Sequence, residues 1–327
     1  MVKYWFAAST EEFTPSQMLE QAEAAERAGF DALGVSDHFA PWWPEGQASM
    51  AWVYLGALGQ RTTKPIGTGV TPIVHHYHPG VVAQAWMSLE DLYPGRTWLG
   101  VGSGESVNEV PLGLVDWPSP QEKIERMDQG LEAITRLWAG ETVTMDAGWF
   151  RLKDAKLYTR AGQRPKLYVS AFGPKAAAVA GKYGDGLWTL GDPDAAPPVI
   201  EAYRESCARH GRPEGEIIVQ AGFHLADDER RAIEGARHWK PTQLPEVYTQ
   251  DIHDPAEKQR LANERMTDEE FAHEGFLVGA DPGEHVERIR EMQSVAATVV
   301  SLQLIGNADP LGSIRRYGEE VLPKLRD

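Results

Sequence analysis

A chain of 327 residues, 42% hydrophobic and 24% charged, has the make-up of a folded globular protein and is long enough for one large domain or two average ones. Its formal net charge of −16 lacks the basic footprint that nucleic acid or an anionic membrane requires, so a small molecule is the expected partner. The single cysteine, Cys207, excludes an intrachain disulfide and a thiolate metal cluster.

Met1 to Ser9 lacks the apolar run and cleavage site of a secretory signal. No later stretch approaches ~18 uninterrupted apolar residues, so a cytoplasmic protein without a membrane span is expected. Tyr4 to Ala8 reads as a buried strand. Thr14-Pro15-Ser16-Gln17 then supplies an N-cap, a proline at N1 and a capping-box glutamine, with Phe13 and Met18 as a hydrophobic staple. The helix runs through Leu19, Ala22, Ala25 and Ala28 and stops at Gly29, suited to the left-handed C′ position. Strand two follows at Ala32 to Ser36, then Ile66 to Val70, Thr97 to Gly102, Leu167 to Ala171, Gly186 to Thr189, Ile217 to Gly222 and Thr298 to Leu304.

Eight βα units predict a (β/α)8 barrel, an α/β TIM barrel forming one domain over residues 1–327, with active-site residues at the C-terminal ends of the strands. A doubly wound sheet is the alternative, but Ala8-Ser9-Thr10-Glu11-Glu12 is not the glycine-rich loop it needs after its first strand. Two insertions belong at the C-terminal face. Residues 109–165 hold a helix capped by Ser119-Pro120-Gln121-Glu122 and a hairpin, Thr142 to Leu152. Residues 224–276 are charged and helical and are expected to form a flap over the mouth.

Strand two ends in Ser36-Asp37-His38-Phe39-Ala40-Pro41-Trp42. His38 is suited to proton transfer near neutral pH, and the neighbouring Asp37 is a candidate to orient it. Strand four leads into Gly102-Ser103-Gly104-Glu105-Ser106-Val107-Asn108-Glu109, where glycines let a ligand approach the backbone while Glu105 and Asn108 bring polar groups to the same mouth. Gly67-Thr68-Gly69-Val70-Thr71-Pro72 ends strand three. Ser170-Ala171-Phe172-Gly173 opens a helix whose free N–H groups suit a phosphate. His75, His76 and His78 lie in a loop between Pro72 and Pro79 with no acidic ligand close in sequence, so no metal is expected. Most of the tryptophans, Trp86, Trp98 and Trp138 among them, read as packing residues, while Trp5, Trp42 and Trp188 sit at or beside strand ends.

Ser36-Asp37-His38-Phe39, Pro41-Trp42, Leu92-Tyr93-Pro94-Gly95-Arg96, Gly102-Ser103-Gly104-Glu105, Asn108-Glu109 and Gly184-Asp185-Gly186 together resemble the luciferase-like barrel enzymes that use the deazaflavin F420, in the branch of glucose-6-phosphate and alcohol dehydrogenases. The resemblance implies hydride transfer from an alcohol carbon to C5 of F420, with His38 as base, Glu105 near the deazaflavin ring nitrogen across the ring from His38, and Trp42 shaping the substrate side. It further implies that Asp37, Ser103, Gly104 and Asn108 line the cofactor site together with Gly69, Val70, Thr71 and Gly102, that Ser170, Ala171, Phe172 and Gly173 hold its tail phosphate, and that Gly69-Val70 is a cis peptide. A homodimer is implied by the same likeness.

Departures from the sugar-phosphate branch shift the expected substrate. Its extra residue near Gly69-Val70-Thr71-Pro72 is missing, Thr189-Leu190-Gly191-Asp192 stands where a lysine is expected, and the positions of a second lysine and an arginine fall near Thr249 and Gly275. Without those cations, with only Lys240 as a candidate replacement, a non-phosphorylated secondary alcohol or sugar-like hydroxyl is expected. A sugar-6-phosphate dehydrogenase, an FMN-dependent relative and a non-catalytic flavin-binding paralogue are the alternatives.

Overall fold

Eight parallel strands close on themselves: β1 (Lys3–Ala8), β2 (Ala32–Val35), β3 (Ile66–Thr68), β4 (Thr97–Gly102), β5 (Lys166–Ser170), β6 (Gly186–Leu190), β7 (Glu216–Leu225) and β8 (Val299–Leu304). Each pairs with the next, and β8 returns to β1 with Val299 opposite Lys3. The computed structural model describes residues 1–327, apart from the side chain of residue 274. All eight expected strands are present, and this ring with its surrounding helices is the expected barrel. Two boundaries differ by more than one residue. Strand three stops at Thr68, because the Gly69-Val70 peptide is cis and interrupts the ladder before Thr71–Pro72 pairs with β4. Strand seven runs on to Leu225, where Leu277–Gly279 adds beside it.

Local chemistry fixes the helices. Thr14 and Gln17 form the capping box of Pro15–Ala28, which ends at Gly29 with φ 95°; Ser119 and Glu122 form another at Pro120–Trp138. Both boxes satisfy N–H groups that a helix end leaves open. Outward strand residues such as Phe6, Leu33, Val35, Val101, Leu187 and Val300 are buried against these helices, each contributing roughly 1.5–3 kcal/mol by leaving water. Inside the barrel, Trp5, Trp98, Tyr168 and Trp188 fill the axis with Ala32, Ile218 and Val299, and the Trp5 ring lies 4.6 Å from that of Trp98. Trp5 and Trp188, expected at strand ends, are therefore part of the barrel filling.

The insertion after β4 holds the Pro120–Trp138 helix and an antiparallel hairpin, Val143–Asp146 with Arg151–Ala155. The later insertion carries the helices Glu229–Ala236 and Pro255–Arg265 among others. Its Trp239, Val247 and Phe271 form a separate core with Trp42 and Trp43 of the loop after β2. Glu12 fastens this flap from below, accepting hydrogen bonds from Trp239 Nε1 at 2.8 Å and Gly306 N at 2.8 Å, with His238 Nε2 at 2.9 Å. Among the described residues, no helix is long and apolar enough to cross a membrane.

Candidate active site

Three loops leaving the C-terminal ends of β1, β2 and β4 bring Glu11, His38 and Glu105 together. His38 Nε2 lies 3.4 Å from Glu11 Oε1 and 3.7 Å from Glu105 Oε2. The Glu11 side chain is only 2% exposed, against 23% for Glu105, so the buried carboxylate needs local donors. Ser36 Oγ and Thr10 Oγ1 supply them on Glu11 Oε2, which leaves Oε1 turned to the imidazole.

Asn108 sets the other face of the ring. Its Oδ1 accepts the Phe39 backbone N–H at 2.8 Å, so its Nδ2 is the atom facing His38 Nδ1 at 3.3 Å. An amide nitrogen has no lone pair to offer, so Nδ1 is the acceptor and the neutral imidazole carries its proton on Nε2, towards the two carboxylates. The orienting role expected of Asp37 therefore belongs to Asn108. Asp37 accepts from Thr71 Oγ1 at 2.7 Å, Trp52 Nε1 at 2.9 Å and Tyr77 OH at 3.0 Å. Burial pushes its carboxyl pKa up, against the opposing effect of those donors.

The expectation that His38 and Glu105 face each other across a ring is not met. A planar ring between two groups needs about 7 Å, twice an ordinary contact, and these atoms are 3.7 Å apart. The wall for a flat ligand lies beside them, where the cis Gly69-Val70 bond follows β3. A Cβ on Gly69 would stand 2.5 Å from the Trp188 ring, and one on Gly102 2.8 Å from Val70. Ser103, Gly104 and Glu105 continue the rim, half-buried. Gly104 has φ 74°, and a Cβ there would collide with the Glu109 carboxylate, a position only glycine can take. Glu109 Oε2 in turn accepts the Glu105 N–H at 2.9 Å. Burial and then the Glu105 charge hold the Glu109 carboxyl well above the usual range.

At the end of β5, Ala171 is buried and Phe172 exposed. Gly173 caps the ten-residue helix Pro174–Tyr183 without a side-chain cap, and nothing stands within 4 Å of where its Cβ would be. That open helix start suits a phosphate. Trp42 is buried with its ring 5.5 Å from His38 and 5.7 Å from Tyr248. The loop histidines have structural employment: His78 Nδ1 accepts from Gly80 N, and His76 stacks on Tyr77. Lys240 is bound to Asp268 at 2.7 Å, and a side chain at Gly275 would collide with Gln243.

The description of the luciferase-like monooxygenase family matches residues 4–298. The chain belongs to the luciferase-like family. Within it the chain stands among the F420-dependent dehydrogenases. It is 38% identical to an F420-dependent glucose-6-phosphate dehydrogenase of Microbacterium testaceum, covering 99% of this chain and 98% of that one. A similarly named protein of Nakamurella multipartita is 37% identical, covering 99% and 97%. Among solved structures, an F420-dependent secondary alcohol dehydrogenase in complex with an F420-acetone adduct superposes with a TM-score of 0.92 at 31% identity, covering 100% and 99%. The F420-dependent tetrahydromethanopterin reductase of Methanopyrus kandleri, at 19% identity and TM-score 0.77 over 99% of each chain, shares the luciferase-like fold.

Sequence reasoning brought His38, Trp42, Glu105 and Asn108 to one luciferase-like barrel mouth but overlooked Glu11. The available signal was its place three residues beyond the end of β1, where barrel enzymes keep reactive groups. Tyr248 and Lys258 were missed because they reach the site from the flap, with no strand to announce them.

Proposed function

We propose that this enzyme oxidises an alcohol carbon by hydride transfer to coenzyme F420, and reduces the corresponding carbonyl in reverse. The observation that carries the reading is the convergence of Glu11, His38 and Glu105 beside the Gly69-Val70 wall. The residues present fit a deazaflavin: a flat wall of Gly69, Val70 and Gly102, an open helix start at Gly173, and a buried Glu105 Oε2 without a hydrogen-bond partner among the described residues. Val70 would back the ring, Glu105 would face its polar edge, and Ser170 to Gly173 would hold the phosphate. Bound F420 supplies the hydride acceptor at C5.

The chain's own residues handle the proton. Nδ1 of His38 is engaged by Asn108, so the neutral ring has no lone pair at Nε2. The proton acceptor we assign is Glu11, whose Oε1 lies beside that atom. His38 Nε2–H holds the substrate oxygen, and the hydroxyl proton passes to Glu11 as hydride leaves the carbon. Trp42 and Tyr248 exclude water above the pair. The absence of a cation in Thr189 to Asp192 and at Thr249 and Gly275, near which the other two fall, with Lys240 held by Asp268, supports a substrate without a phosphate.

The test is F420 titration and F420 reduction by the purified protein across secondary alcohols, sugars and sugar phosphates, with FMN in parallel. Expected are F420 binding, alcohol-dependent reduction, and loss of turnover with retained F420 binding in His38→Ala. Tight FMN binding without F420 binding, or turnover confined to sugar phosphates, overturns the respective part of the reading.

A further inference from the structure

The flap delivers one charge to the site that the proton chemistry does not use. Lys258, on the helix Pro255–Arg265, is fully buried, and its Nζ has no hydrogen-bond partner among the described residues. The ammonium sits 4.5 Å above the centre of the Trp42 ring, the ring that borders His38. The two carboxylates that act on it electrostatically are Glu105 and Asp251; neither hydrogen-bonds to it, and Asp251 is held by His253 at 2.8 Å. Taking an ammonium out of water without a hydrogen-bonded counter-charge is costly, and an indole face offsets only part of that cost. Burial accordingly lowers its pKa to about 8. An aliphatic side chain would pack the same space without the penalty, so the charge points to a ligand that completes it.

Resting on the proposed alcohol site, we infer that the substrate carries a carboxylate, which Lys258 binds across Trp42 while the hydroxyl lies at His38. One charge rather than two is indicated because the other buried lysines are spoken for: Lys123 donates to Tyr248 O at 2.9 Å and Lys240 to Asp268. A lone ammonium is a point charge suited to a monoanion, while a phosphate draws on several donors. The spacings also bound the size. Nζ to the Trp42 ring centre and that centre to the His38 ring centre are 4.5 Å and 5.5 Å, which keeps the ammonium within 10 Å of the imidazole centre. At that full separation, with a hydrogen bond of ~2.9 Å directed inward at each end, roughly 4 Å lies between hydroxyl and carboxylate oxygens. That is the span of a short hydroxy acid.

The experiment titrates the protein calorimetrically, with and without F420, using butyrate and its uncharged amide butyramide, and compares 3-hydroxybutyrate with 2-butanol as reductants of F420. Expected is at least tenfold tighter binding of butyrate and at least a tenfold higher kcat/KM for the hydroxy acid, with both preferences lost in Lys258→Met. Equal affinity for acid and amide in the wild type, which needs no variant, overturns the inference, as does a preference that survives in the Lys258→Met protein. Phosphate competing with butyrate more strongly than acetate does would reassign the site to a phosphorylated substrate and overturn the carboxylate. Should no alcohol reduce F420, the dehydrogenase reading falls while the butyrate titration still decides this one.

Discussion

Replacing Glu11 with glutamine separates the two carboxylates that flank His38. The change keeps size and removes the ability to take a proton. Loss of a positioned acid–base group costs roughly 10²–10⁴ in rate. Glu105 Oε2, 3.7 Å from the same nitrogen, remains as a second acceptor, so the expected loss for Glu11→Gln lies at the lower end, about 10², or about 2.7 kcal/mol. Stability should change little. Two hydroxyl donors on Glu11 Oε2 lose their charged acceptor, at about 1 kcal/mol each, while a carboxylate only 2% exposed no longer has to be kept from water. The assay is kcat and kcat/KM from the bleaching of F420, with the thermal midpoint and F420 affinity as controls. A Glu11→Gln protein that turns over within threefold of wild type with an unchanged midpoint refutes the assignment of Glu11 as acceptor. The double replacement with Glu105→Gln should remove the residual rate.

Glu109→Gln keeps an acceptor for the Glu105 N–H and removes a group whose pKa is raised on folding. Such a group favours the fold below its unfolded pKa and loses that contribution as pH rises through its folded one, so the variant's thermal midpoint should fall less than the wild type's as pH rises above 4.5. His224 is fully buried with neither ring nitrogen partnered among the described residues, and burial lowers its pKa to about 4. A depressed histidine contributes stability above its unfolded value of ~6.5 and loses it as pH falls to the folded one, about 3 kcal/mol over that window. Denaturant titrations of His224→Leu between pH 7 and pH 4 should show a correspondingly flatter pH dependence. Gly69→Ala would drive a methyl to 2.5 Å from Trp188, so about 1–3 kcal/mol of destabilisation and weaker F420 binding are expected from unfolding curves and titration.

The barrel was legible because each βα unit repeats a local code. The Thr14 and Ser119 capping boxes and the Gly29 stop act within one helical turn, and the buried strands are short apolar runs that need no distant partner to be read. The site was legible only where a motif sat on a strand end, as at His38 and Glu105. Asp37 misled because residues adjacent in an extended chain point to opposite sides. It turns to Thr71, Trp52 and Tyr77, and the group that orients His38 comes from 70 residues away at Asn108. Glu11 was hidden in a loop judged by its lack of glycines. Lys258 became meaningful only once the flap core around Trp42 and Phe271 fixed where its helix lies.

Glu11 and Glu12 are consecutive, yet one faces the reacting centre and the other anchors the covering segment through Trp239, His238 and Gly306. The fastening of the cover and the carboxylate beside His38 are therefore a single peptide unit apart in the chain. Whatever fixes the backbone at Glu12 thereby also fixes where Glu11 begins, with no intervening side-chain contacts.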